Sequence, residues 1–259
     1  DTSYDNQTLL TSHRSCENTD YYYIYNYGGT DNYQEIDDAE NVKTDIVLKG
    51  EGTPYLADAW TGEITAITDY TTDDGYVTIP VDLAANDSCI IILSDEKFAS
   101  QDNDQTDSIS NDIKVENWNL TVESWTKGKT VLDTQKTKID VGNLSQLTSW
   151  DNIDGLENVS GIGTYTATFE MANDYEKGQK AYLHTGKIKD AFDVTINDKE
   201  VIVDQVSGIA DISQYLKKGQ NEIKITVATS LLNAILEENK NILNEDGRVL
   251  DDRHPSSYG

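Results

Sequence analysis

Tyrosine and tryptophan are the side chains through which this sequence can do the most chemistry. The chain carries 15 Tyr and 4 Trp against only 3 Phe. Tyr and Trp join a flat apolar ring to a polar handle, which suits stacking on the C–H face of a pyranose and hydrogen bonding to its hydroxyls. Inward packing is the commoner fate of any single aromatic, so position has to sort them. Trp125 follows a strand-like run and precedes the polar stretch TKGKT, which makes it the tryptophan expected to be most exposed. Trp60 lies in DAWTGE, a turn before a strand. Tyr27 and Tyr33 flank Gly28-Gly29 in YGGTDNY, a loop rich in hydrogen-bonding groups. Trp125, Trp60, Tyr27 and Tyr33 are therefore the candidate sugar-contacting residues. In the run Tyr21-Tyr22-Tyr23 neighbours must face opposite sides of a strand, so at least one should point to solvent or to another domain.

Covalent catalysis finds less support. Glycoside hydrolysis needs two carboxylates about 5–9.5 Å apart, but among 47 Asp and Glu some pair always meets that distance. The three histidines, His13, His184 and His254, have no partner at metal-ligand spacing, which speaks against zinc. His184, in AYLHTG, reads as structural. No nucleophile elbow or phosphate-binding glycine loop is present. Cys16 and Cys89 are too few for a disulfide scaffold and pair only if the fold brings them together.

The net charge is −27 with His neutral. Such a charge repels nucleic-acid backbones and anionic membranes, and reads as an adaptation of an exported protein. A strongly acidic polymer would need a local basic patch. No stretch reaches the about 18 apolar residues of a membrane span. The chain opens at Asp1 without a signal peptide and stops at HPSSYG, which suggests a fragment of a larger protein.

The elements that must position these residues are short strands. Val42, Thr44, Ile46 and Leu48 share one face against Lys43, Asp45 and Val47, and Tyr165, Ala167, Phe169 and Met171 alternate with Thr164, Thr166, Thr168 and Glu170. Further runs fall at 19–27, 53–57, 64–67, 76–80 and 89–93, then at 118–125, 181–185, 192–197, 200–203 and 221–228. Each is bounded by turn residues. Asp198-Lys199 is the expected hairpin turn between FDVTIN and EVIVD, and 230–243 is the expected helical segment, with Ser230 as N-cap. The pattern predicts an all-β chain of two tandem β-sandwich domains: residues 1–100, an acidic linker at 101–114, and residues 115–259.

The second half resembles a galactose-binding-type jelly roll of the kind appended to large glycoside hydrolases. The resemblance rests on Ser160, Gly161, Tyr165, Phe169, Gly186, Asp190, Ala191, Val194, Asn197, Leu216, Gly219, Asn221, Val227 and Asn233. It implies core positions for Trp118, Trp150 and Tyr165. It also implies a structural Ca²⁺, for which Asp151, Asp154 and Glu157 in WDNIDGLEN are the candidate ligands. The first half is similar to the region that follows the catalytic barrel in α-L-rhamnosidases of glycoside hydrolase family 106, through His13-Arg14, TDYYYIYNY, GEGTPYLADAWTGEI and YVTIPVDLAANDSCIIIL. It departs from that pattern at Pro54-Tyr55-Leu56, where the tryptophan is displaced to Trp60. By this resemblance the first domain adjoins an absent catalytic domain, and His13-Arg14 should be an exposed pair without partners.

The expected function is that of a non-catalytic carbohydrate-binding or accessory module of a secreted bacterial enzyme degrading plant cell-wall polysaccharide, with a pectic or hemicellulosic glycan as partner. The alternative is a pair of structural domains that brace a rhamnosidase-like barrel and bind nothing themselves. A third reading is a cell-surface adhesion module. An exposed coplanar aromatic pair would favour the first, and an apolar patch near His13 the second.

Overall fold

A computed structural model of the chain describes residues 2–3, 8–28, 40–98, 112–130, 132–176 and 179–238. The chain divides into two compact units, residues 1–109 and 110–259. Residues 101–111 of the expected linker lie outside the described residues. Among the described residues no helix is long and apolar enough to cross a membrane.

Among the described residues the first unit holds nine strands: β1 (Thr2–Ser3), β2 (Leu9–Cys16), β3 (Thr19–Asn26), β4 (Val42–Lys49), β5 (Thr53–Ala57), β6 (Ile64–Ala66), β7 (Thr71–Asp73), β8 (Tyr76–Leu83) and β9 (Ser88–Ser94). They form a sheet of order β1-β4-β8-β7 and another of order β2-β3-β9-β5-β6, with every pairing antiparallel. Alternation decides which face of each sheet is buried. Val42, Ile46 and Leu48 of β4 and Val77, Ile79, Val81 and Leu83 of β8 pack on Tyr22, Ile24, Ile91 and Leu93 of the other sheet. This is a face-to-face β-sandwich. Each of these buried aliphatic side chains contributes about 1.5–3 kcal/mol. Pro80 sits inside β8 opposite Asp45, where β7 no longer runs alongside. Its missing N–H therefore leaves no ladder bond open. Asp74 and Gly75, both at positive φ, form the tight turn between β7 and β8.

The second unit holds β10 (Trp118–Lys127), β11 (Thr134–Leu144), β12 (Gly161–Met171), β13 (Tyr182–His184), β14 (Ala191–Ile196), β15 (Lys199–Val201), β16 (Ile209–Asp211) and β17 (Gly219–Ala228), followed by helix α1 (Leu232–Glu238). Six strands make one sheet of order β11-β10-β12-β17-β14-β15, and β13 pairs with β16. Ala167, Phe192, Val194, Ile196, Ile223 and Ile225 of the large sheet pack with Ala210, Ile212 and Leu216. As the alternation predicts, Tyr165, Phe169 and Met171 lie against this core. A second cluster joins Leu120 and Val122 to Trp150, Ile153 and Leu156. Trp118 and Trp150 are both buried, and the Trp150 indole N–H donates to Tyr165 Oη at 2.7 Å. Trp150 lies so close over Gly163 that a Cβ there would be 2.6 Å from its ring.

Two local expectations shift. The hairpin between β14 and β15 turns on Asn197 and Asp198, at φ 50° and 62°, and Lys199 already belongs to β15. Asn and Asp tolerate the left-handed region that this turn demands at both central positions, whereas Lys does not. The polar strand β11 also escapes the sequence pattern. It pairs only with β10, at the sheet edge, and its residues are exposed or half-buried throughout, so no hydrophobic alternation marks it.

Candidate functional site

Trp125, near the end of β10, is not the open stacking surface expected of it. It is half-buried, its indole N–H donates to Glu123 Oε1 at 2.7 Å, and Lys136 Nζ lies 4.3 Å from the ring centroid. Lys136 is its cross-strand partner on β11 and also pairs with Glu123 at 2.9 Å. Hydrogen bonds from Lys136 and then Trp125 hold the Glu123 carboxyl below its ordinary pKa. One ring face is thus taken by a cation–π contact. Long side chains on a polar edge strand cover the aromatic beside them, and this is invisible until β11 is known to pair there.

Trp60 is the more open tryptophan, with 42% of its surface exposed. It projects from the loop joining β5 and β6. Asp58 Oδ1 accepts the backbone N–H groups of Trp60 and Thr61 at 2.7 and 2.8 Å, and Gly62 N–H donates to the Asp58 carbonyl at 3.0 Å. The tip is therefore ordered by its own Asx turn. Tyr27 is half-buried at the end of β3, and Tyr33 lies outside the described residues. Asp151, Asp154 and Glu157 are all exposed. Among the described residues no group of three or more His, Cys, Asp or Glu is gathered to hold a metal ion.

The tyrosine run offers an aromatic row on one sheet face. Tyr22 and Ile24 of β3 turn inward and are fully buried. Tyr21 and Tyr23 turn outward and are 37% and 46% exposed, and Tyr25, half-buried, continues the row. Same-face neighbours in a strand stand roughly 6.7 Å apart, the stride of a flat stacking platform. Register then decides the flanks of this row. Leu10, 53% exposed, lies opposite Tyr25, and half-buried Ile90 lies opposite Tyr23. Farther across the same face Tyr55 is buried beneath Phe98, with ring centroids 5.0 Å apart. Sequence alone shows that a tyrosine must face outward, but Leu10 and Ile90 join the patch only through strand pairing.

His13 is not an unpartnered group. Its ring stacks on Tyr22 at 4.2 Å with planes 3° apart, and its Nε2 lies 2.8 Å from Asp20 Oδ1. Ser15 Oγ lies 3.3 Å from the same nitrogen and also donates to Asp20 Oδ1. Burial alone would raise the Asp20 carboxyl, but hydrogen bonds from Ser15 and His13 and the His13 charge outweigh it and hold it below its ordinary value. The residue types match a Ser-His-Asp triad, yet the geometry does not. A relay needs Ser and Asp on opposite ring nitrogens, and here both crowd Nε2. The cluster pins β2 to β3, and Tyr22 Oη donates to the Lys49 carbonyl of β4 at 2.5 Å, tying the two sheets together.

Cys16 and Cys89 are both free thiols, one exposed and one buried. They stand on β2 and β9, which β3 separates. Burial, then the nearby charge of Asp87, pushes the Cys89 thiol up to about 12.

No protein-family model and no curated protein sequence matches the chain. Among solved structures it is similar to a rhamnosidase from Novosphingobium sp. PP1Y, with a TM-score of 0.65 at 18% identity. That likeness covers 93% of this chain and 22% of the rhamnosidase, and at such identity it is a likeness of fold. The chain thus has an all-β fold found within a rhamnosidase and spans about a fifth of that protein's length.

Proposed function

We propose that this chain is a non-catalytic accessory part of a secreted bacterial enzyme that degrades plant cell-wall polysaccharide, and that it binds a pectic or hemicellulosic glycan. The observation carrying the reading is the open row of Tyr21, Tyr23 and Tyr25 on the outer face of the five-stranded sheet. Aromatic rings at regular spacing offer stacking surfaces to successive sugars, and their hydroxyls offer hydrogen bonds. The fold's likeness to a small share of a rhamnosidase supports the link to a glycoside hydrolase.

Affinity electrophoresis against a panel of plant polysaccharides tests this. Retention by at least one glycan, abolished by the double substitution Tyr21→Ala and Tyr23→Ala, is the expected result. Retention by none sinks the binding reading.

A second reading draws on a specific observation. Leu10 and Ile90 flank the tyrosines, and aliphatic groups contribute area but no hydrogen bonds to a sugar. They suit a face that packs on another domain of a longer parent, where the two units would brace a rhamnosidase-like barrel. In that case no glycan is retained, and Leu10→Ser lowers the binding of a hydrophobic dye by the isolated chain.

A further inference from the structure

The second unit carries a groove of about 380 Å³ whose lining is at odds with the rest of the molecule. Lys199, Lys217 and Lys218 line it together with Tyr175, Gln214 and Tyr215, and no carboxylate does. In a chain where acidic residues outnumber basic ones 47 to 20, a depression lined by three lysines and by no Asp or Glu is a local reversal of composition. All three lysines are exposed, and among the described residues none forms an ion pair, unlike Lys43, Lys136 and Lys180.

The loops around the groove are held in place. Lys199 opens β15 just after the Asn197-Asp198 turn, and Lys217 and Lys218 precede β17. The pairing of β14 with β17 brings these two loops together. Asn197 Nδ2 donates to the Tyr215 carbonyl at 2.9 Å and to Asn221 Oδ1 at 2.8 Å. Asn221 is fully buried. Its Nδ2 donates to the carbonyls of Lys217 and Gly219 at 2.8 and 2.9 Å, and its Oδ1 accepts the Lys217 N–H at 3.0 Å. Tyr175 Oη donates to the Ser213 carbonyl at 3.2 Å. The lysine stems therefore start from a braced frame, and little backbone order would be lost on binding.

From these residues we infer that the groove is a binding site for an anionic saccharide, a short run of hexuronate residues. Ammonium groups are point charges that match single carboxylates along such a chain. The exposed Gln214 amide and the half-buried Tyr215 supply hydrogen bonding and a ring contact for a sugar. A volume near 380 Å³ falls within the about 300–1,000 Å³ usual for small-molecule sites. A nucleic acid with the same charge sign would face the −27 field of the whole protein over a long contact, whereas a short uronate need meet only the groove. The inference rests on the glycan-handling reading above but uses a different unit and different residues.

Calorimetry of the full chain with trigalacturonate at low salt provides the test, with galactotriose and a short single-stranded DNA as controls. Binding of trigalacturonate that weakens as salt is raised is expected, because exposed charges are screened. The triple variant Lys199→Gln, Lys217→Gln, Lys218→Gln should lower affinity by about tenfold or more. No binding by the wild-type chain, unchanged binding by the triple variant, or equal affinity for galactotriose or DNA would overturn the inference. Retention of neutral glycans through the tyrosine row is read separately, so either proposal can fail while the other stands.

Discussion

Asn221 is the residue whose replacement tests most directly how the second unit holds its loops. Its amide makes all four hydrogen bonds it is capable of, two given and two accepted, at 2.8 to 3.0 Å, with no surface exposed. Asn221→Ala removes the four and leaves the Lys217 N–H and carbonyl, the Gly219 carbonyl and one Asn197 N–H without this partner. At about 1 kcal/mol net for each bond, the loss comes to about 4 kcal/mol. Lys217 is exposed and Gly219 half-buried, so water can re-satisfy part of it, which leaves about 3 kcal/mol. For a unit of this size that corresponds to a fall of about 6–12 °C in Tm. Thermal unfolding of the full chain, followed by near-UV circular dichroism, is the assay. Asn221→Asp keeps the shape and the acceptor but loses both donors and buries a carboxyl, so it should cost at least as much. A drop below about 2 °C for both variants would refute the account, because the loop would then be held by something other than Asn221.

Other outcomes follow from the same geometry. Gly161→Ala should destabilise the second unit by about 3 kcal/mol in urea unfolding, because a Cβ there would stand 2.0 Å from the Glu123 carbonyl oxygen at φ 150°. A thiol reagent near neutral pH should modify Cys16 rapidly in the native protein and Cys89 only after denaturation, since the Cys89 thiol is buried and raised to about 12; equal labelling counted by mass spectrometry would contradict the packing of β9. Asp20 has a carboxyl pKa lowered from its ordinary 3.8 by folding. Its contribution to stability is therefore fully present above 3.8 and disappears as pH falls through the lowered value. Chemical denaturation over an acid series should show wild type and Asp20→Asn converging at the acid end, and a constant gap would count against the His13–Ser15–Asp20 cluster.

Much of the architecture is a local property of the sequence. Val42, Ile46 and Leu48, or Tyr165, Ala167, Phe169 and Met171, declare their strands because a pleated chain shows alternate residues to one core. The charge of −27 and the tyrosine bias are likewise readable from composition, and so is the need for Tyr22 and its neighbours to face opposite ways. Where a strand lies on an edge the signal fades, as in β11, whose charged residues face water on a sheet with no neighbour beyond.

The candidate sites depend on pairing, which no short window contains. Lys136 covers Trp125 because their strands are in register. Leu10 and Ile90 become neighbours of the tyrosines across β2 and β9. Lys199 meets Lys217 and Lys218 because β14 runs beside β17. The sequence by itself determined an acidic, tyrosine-rich all-β chain with alternating faces, since each of those follows from residue type and a period of two. Only the tertiary structure decided which tyrosines stand open, why His13 lacks triad geometry and where the basic groove lies, because contacts between residues distant in the chain are set by strand order and register.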